Sequence, residues 1–151
     1  MTFKCVQAHG LRFAADGWLL MPLLDEAGKL CNLQRIAPEK PAQGTDKLFL
    51  RGGRKSGLWH QLGDPAGAAV LLIAEGYATA ASVFEATGRP VAAAFDAGNL
   101  VHVARALRKL YPTALIAIAG DDDVQTHART GTNPSRDKAT AAARGVHGLA
   151  V

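Results

Sequence analysis

Residues 69–82 read Ala-Val-Leu-Leu-Ile-Ala-Glu-Gly-Tyr-Ala-Thr-Ala-Ala-Ser. The first six are apolar without a break, the pattern of a strand covered on both faces. Glu75-Gly76 interrupts the run. From Thr79 the apolar positions Ala80, Val83 and Phe84 recur at i, i+3 and i+4, which predicts a helix to Thr87, stopped by Gly88-Arg89-Pro90. The same order returns downstream: Val91–Phe95 reads as a strand and Leu100–Tyr111 as a helix, then Ala114–Ala119 as a third strand. Asn133-Pro134 supplies a capping amide and a proline at the first helical position, so a helix is expected over Ser135–Arg144. Gly148–Val151 begins a fourth apolar segment, and the chain reads as a piece of a longer protein. Alternating strands and helices imply an α/β fold, a parallel sheet flanked by helices.

Upstream the composition changes. Residues 1–65 contain 6 alanines and residues 66–151 contain 23. The first stretch reads as short strands at 17–22, 30–36, 47–50 and 57–62, with the turn Asp25-Glu-Ala-Gly28 between the first two. In 30–36, Leu30, Asn32, Gln34 and Ile36 share one face and Cys31, Leu33 and Arg35 the other. A small antiparallel β-rich subdomain is expected over residues 1–67, with the α/β domain over 68–151.

Length, charge and cysteine content narrow the class. The chain has 151 residues and is 48% apolar, enough for a core. Its longest uncharged apolar run, Ala66–Ala74, is nine residues, against the roughly 18 that a membrane span needs. Cys5 and Cys31 are too few for a disulfide framework or a structural zinc site, so a reduced, cytoplasmic protein is expected. The net charge is +4, divided as +3 on residues 1–69 and +1 on residues 70–151. Lys47, Arg51, Arg54 and Lys55 cluster with no acid between 47 and 61, whereas Asp121-Asp122-Asp123 forms an acidic knot. A basic stretch and a separate acidic one suit a metal-dependent enzyme that acts on phosphate chains.

In a parallel α/β sheet, ligands gather beyond the carboxyl ends of the strands. Glu75 follows the first strand there, and Asp121–Asp123 follow the third. Side chains alternate on extended backbone, so Asp121 and Asp123 share a face and Asp122 points away. Three convergent carboxylates repel one another unless a cation neutralises them. With oxygen donors and no neighbouring Cys or His pair, that cation is expected to be Mg²⁺ or Mn²⁺. Alone, Glu75-Gly76 reads as a turn and the aspartate run as a solvated loop or helix cap; their joint placement after two strands of one unit favours metal. An EF-hand is excluded by Gln125 and Thr126 at the fifth and sixth loop positions. The aspartate-nucleophile phosphatases carry their acidic pair after the first strand instead.

EGYATAAS after one apolar strand, and GDDD after another some 45 residues on, resemble the Toprim domain. Bacterial primases, topoisomerases and certain nucleases share it. The upstream stretches LMPLLDEAGKLCNLQRI and DKLFLRGGRKSGLWHQLG resemble the segment before Toprim in plasmid- and phage-type DNA primases. The resemblance implies that Asp121 and Asp123 hold a divalent metal, that Glu75 holds metal or acts as general base, and that Asp122 tunes the site from behind these ligands. Lys47, Arg51, Arg54 and Lys55 would line the other wall of the cleft and meet the phosphates of template or incoming triphosphate. Asn99 would meet phosphate or serve as a plain helix cap. Trp59 would stack on a base or, more commonly for an aromatic in a strand, belong to the core. None of the five histidines is expected to be a ligand. Arg129, Arg136 and Lys138 would meet phosphate or pair with Asp137.

The implied function is the catalytic core of a DNA primase, making short RNA primers on single-stranded DNA from nucleoside triphosphates with Mg²⁺ or Mn²⁺. A helicase and a zinc-binding module would belong to the parent protein, since no Walker motif or cysteine cluster occurs in this sequence. The alternatives are a Toprim nuclease and a non-catalytic nucleic-acid-binding domain. A topoisomerase is disfavoured, because neither Tyr77 nor Tyr111 lies in a separate DNA-cleaving module.

Overall fold

The computed structural model describes residues 6–120 and 133–151. Two sheets form. The first is an antiparallel meander in the order β1 (Arg12–Phe13), β2 (Leu19–Leu24), β3 (Leu30–Ile36) and β4 (Lys47–Phe49). The β2–β3 turn is tied by the Asp25 carboxylate, whose Oδ1 accepts from the backbone N–H of Ala27 and of Lys29, each at 2.9 Å. Met21 and Leu23 of β2 are buried, and so are Asn32 and Gln34 of β3. The shared face anticipated for β3 is therefore real, but its polar members are the ones covered, while Leu30 is 54% exposed.

The second sheet has the order β5-β7-β6-β8-β9, from β5 (His60–Leu62), β6 (Val70–Ala74), β7 (Val91–Ala93), β8 (Leu115–Ala119) and β9 (Leu149–Ala150). The last four strands run parallel; β5 pairs antiparallel with β7, His60 opposite Ala93 and Leu62 opposite Val91. This corrects the reading of 57–62 as part of the N-terminal β module. The strand is three residues long, and pairing with a fully buried β7 covers that edge of the sheet. The strand still meets β2 through the His60–Pro22 O hydrogen bond and through a bridge between Leu24 and Trp59, whose backbone groups exchange hydrogen bonds of 2.9 and 3.1 Å.

Helix α1 (Tyr77–Thr87) covers one face of this sheet; α2 (Leu100–Leu110) and α3 (Pro134–Gly145) cover the other. Alternation along β6 sends Ile73 toward α2 and α3, and Leu72 and Ala74 toward α1. Small side chains let α1 sit close, Ala80 and Ala81 packing with Ala74 and Ala93. Helix α1 begins two residues earlier than expected, because Gly76 takes an extended N-cap conformation and the turn after Glu75 needs nothing more. It ends at Gly88, whose φ of 66° is the left-handed conformation glycine accepts at no steric cost. Asn133 caps α3 as anticipated, its side-chain oxygen accepting from Arg136 N at 3.2 Å. Strand β7 is shorter than expected: Phe95, at φ 71°, turns out of the strand and a single 3-10 turn follows over Ala97–Asn99.

Candidate active-site edge and basic loop

Glu75 leaves the sheet at the carboxyl end of β6, the central position in the strand order. Ala74 pairs with Ala93 on one side and Ala119 on the other. Glu75 therefore emerges between Ala94 and Gly120. One of its carboxylate oxygens, Oε2, is buried. Asp121 is next after Gly120 in sequence; together with Asp122, Asp123 and Arg129 it lies outside the described residues. Among the described residues no three His, Cys, Asp or Glu side chains come together as a metal group. Glu75 is thus the one described member of the expected ligand set, a hard oxygen donor at the carboxyl end of β6.

The next strand end carries a second acid that the sequence reading missed. Asp96 follows Phe95 at the end of β7, and its Oδ1 accepts from Asn99 N at 2.9 Å, capping the 3-10 turn. Its signal in the sequence is an aspartate three residues before an asparagine at a helix start.

Asn99 stands at the N-cap position of α2, but its side chain makes no capping hydrogen bond there. It is 5% exposed; Oδ1 accepts from Gly57 N at 2.8 Å, and Nδ2 donates to the carbonyls of Leu58 at 2.9 Å and Ala94 at 2.8 Å. The amide thus joins the basic loop to the carboxyl edge of the sheet. Lys47, Arg51, Arg54 and Lys55 are all exposed around that loop. Lys55 Nζ lies 4.7 Å from the Phe49 ring centroid, a cation–π contact, and Phe49 meets Phe95 edge-on at 6.0 Å. Arg54 stands 4.0 Å from Asp25, and a groove of about 450 Å³ opens beside them toward His102 of α2. The Asp25 carboxyl is held below its ordinary value, first by the Lys29 N–H, then by Ala27 N–H and Cys31, with a smaller contribution from Arg54 and burial opposing. Trp59 is 6% exposed and belongs to the core, its Nε1 donating to Gln61 at 3.1 Å.

Behind Glu75, residues 6–10 run across α1. Tyr77 donates its hydroxyl to Gln7 O and accepts from His9 N, both at 2.8 Å, and Glu85 accepts from Gln7 N at 2.8 Å. Burial raises the Tyr77 phenol above its ordinary pKa, while the Gln7 N–H and His9 lower that of Glu85. His60 is enclosed here between Pro22 O and His9 O.

A carboxylate at the end of β6, in a sheet with α1 on one face and α2 and α3 on the other, is the arrangement the Toprim resemblance implied. The Toprim domain family matches residues 70–150, more than half of the chain. The chain belongs to the Toprim family. This Toprim chain is also similar to two Escherichia coli proteins named DNA primase TraC, 45% identical over 134 and over 137 residues. Each match covers 87% of this chain, but it spans only 12% and 9% of those proteins. In structure, 83% of the Toprim chain superposes on 38% of a chain described as the DnaG catalytic core, with a TM-score of 0.54 and 15% identity, a likeness of fold. That likeness extends beyond the 70–150 match and so includes part of the antiparallel sheet. No helix among the described residues is long and apolar enough to cross a membrane.

Proposed function

We propose that this chain is the catalytic core portion of a cytoplasmic DNA primase, joining ribonucleotides into short primers on a single-stranded DNA template. The observation that carries the proposal is the 45% identity to DNA primase TraC across both sheets, 87% of the chain, with Glu75 at the sheet edge beside an exposed basic loop. Units of residues 1–67 and 68–151 form the two walls of the cleft, with β5 of the first unit inserted into the sheet of the second. Glu75, Asp121 and Asp123 are the proposed holders of Mg²⁺ or Mn²⁺, with Asp122 behind them. When bound, such an ion neutralises charge that develops on the reacting phosphates. Glu75 follows β6 and has one carboxylate oxygen buried. It either binds the ion or takes the proton of the attacking hydroxyl. Lys47, Arg51, Arg54 and Lys55 hold template or triphosphate. A helicase and a zinc-binding module are the proposed neighbours in the parent protein.

The test is primer synthesis from labelled ribonucleotides on single-stranded template with Mg²⁺ or Mn²⁺. Glu75→Gln and Asp121→Ala should each lower synthesis by roughly a hundredfold or more while leaving template binding in place. Template nicking without synthesis would assign the same carboxylates to a nuclease, and unchanged synthesis by both variants would remove them from the reaction.

A further inference from the structure

Loops with several exposed basic residues are ordinarily mobile, but the loop Leu50–Leu58 is gripped at both ends. Asn32 of β3 is 2% exposed. Its Nδ2 donates to Arg54 O at 2.8 Å; its Oδ1 accepts from Leu33 N at 2.8 Å and shares the Leu50 N–H with Leu33 O, each at 3.2 Å. Asn99, just after β7, takes the other end through Gly57 N and Leu58 O. Asn32 lies on a strand of the first sheet, and Asn99 lies in the 3-10 turn after β7 and also donates to Ala94 O at the end of that strand, so the loop is tied to both parts of the chain. Gly53 lies flat against the Asn32 amide: a Cβ there would fall 2.6 to 2.9 Å from its three terminal atoms. Lys55 is held in turn over Phe49, which rests on Phe95 in the same turn that presents Asn99.

We propose that Asn32 and Asn99 are positioning residues, which hold Leu50–Leu58 as a preformed cradle for phosphate groups. The inference rests on the reading above in one respect, that the loop's basic side chains meet phosphate. It adds that the spacing of Arg51, Arg54 and Lys55 is set by two buried amides and not by the ligand. A cradle ordered during folding loses no backbone freedom when it binds, which is where preorganised sites gain affinity. It also allows several cations to meet one phosphate chain together, so that more counterions leave per binding event.

The experiment measures binding of a fluorescein-labelled oligothymidylate and of inorganic triphosphate to the whole chain across a range of salt concentrations. The first probe reports a template-like phosphate backbone and the second a nucleotide-like one. Asn99 stands in the core, so the decisive variants are Gly53→Ala, Asn32→Ala and their combination. Gly53 does not have a left-handed φ, and the nearest atoms its alanine Cβ would meet are those of the Asn32 amide. Gly53→Ala and Asn32→Ala should each weaken at least one probe roughly tenfold and flatten its salt dependence, although every charge remains. They should speed hydrogen exchange at the Leu33 and Leu50 amides, the two that Asn32 accepts from, and the double variant should be no worse than the single ones, because both release the same grip. Wild-type affinity in these variants, or additive losses in the double, would overturn the inference. The parallel variant Arg54→Ala/Lys55→Ala separates the two levels. If it weakens binding while the clamp variants do not, the loop meets phosphate but the amides do not position it. If it binds both probes as wild type does, the phosphate reading of the loop fails, and the cradle with it.

Discussion

The sheet of β5 to β9 and the sheet of β1 to β4 are stabilised by different kinds of contact. In the former, Ile73, Ile116 and Ile118 pack on α2 and α3 while Ala74, Val91 and Ala93 pack with α1, so both faces are apolar and closed by helices. In the latter, the covered face joins Met21 and Leu23 to Asn32 and Gln34. The Asn32 amide is spent on the backbone of the basic loop. One sheet is an apolar core with Glu75 at its rim; the other is a frame for a loop. Hydrophobic burial is undirected and tolerates drift, whereas an amide fixes particular backbone atoms.

Four substitutions would break or sharpen this contrast. The largest effect should come from the apolar sheet. Ile73→Ala, at a fully buried position, should lower the free energy of unfolding by about 2–5 kcal/mol, read as a lower urea midpoint with an unchanged slope. A smaller loss would mean that the helices close around the cavity. Next, Asn32→Ala should cost about 1–3 kcal/mol by the same measurement, with the excess hydrogen exchange confined to residues near Leu50 and Arg54. Exchange spreading through β6 and β8 would make the two sheets a single cooperative core. Acid should distinguish the sheets further. The Asp25 carboxyl has a depressed pKa in the folded chain, so its contribution is complete above the ordinary aspartate range and is lost as pH falls through the folded value. Asp25→Asn should therefore flatten the fall of the thermal midpoint below about pH 4, and an equally steep fall in the variant would place the acid sensitivity elsewhere. The smallest effect should be at the Arg35–Asp16 pair, 3.0 Å apart with side chains 37% and 55% exposed. Asp16→Asn should change stability by less than about 1 kcal/mol, and a larger loss would reveal that Arg35 depends on this carboxylate to stay over the Trp18 ring, 4.6 Å away.

The apolar sheet was almost fully legible in the sequence, because unbroken runs such as 70–74 and the capped helices after them have few other ways to be buried. The position of Glu75 followed directly. Less was legible where a long-range partner decides. His60-Gln61-Leu62 alternates in the same way whether it pairs with β2 or β7; only the backbone edge of Val91–Ala93, distant in sequence, selects the latter. Asn99 shares its local pattern with helix caps, and its true partners, Gly57 and Leu58, are some 40 residues away. Phe95 follows an alanine run that reads as continuing strand, and nothing local announces its left-handed turn. Of the site, the carboxylate after β6 and the exposure of the basic residues could be read in advance. The two amides that join the loop to the sheets could not, because buried polar side chains are recognised by what they bond and not by their spacing.

Strand β5 has a practical consequence for dissecting the chain. It is the antiparallel border of an otherwise parallel sheet, and it occupies the backbone groups of β7 that would otherwise face outward. A fragment beginning at residue 68 would leave Val91–Ala93, an uncharged and wholly apolar row, open to pairing with another molecule. Such a fragment should self-associate through that border, whereas one that begins ahead of Gly57 carries its own cover.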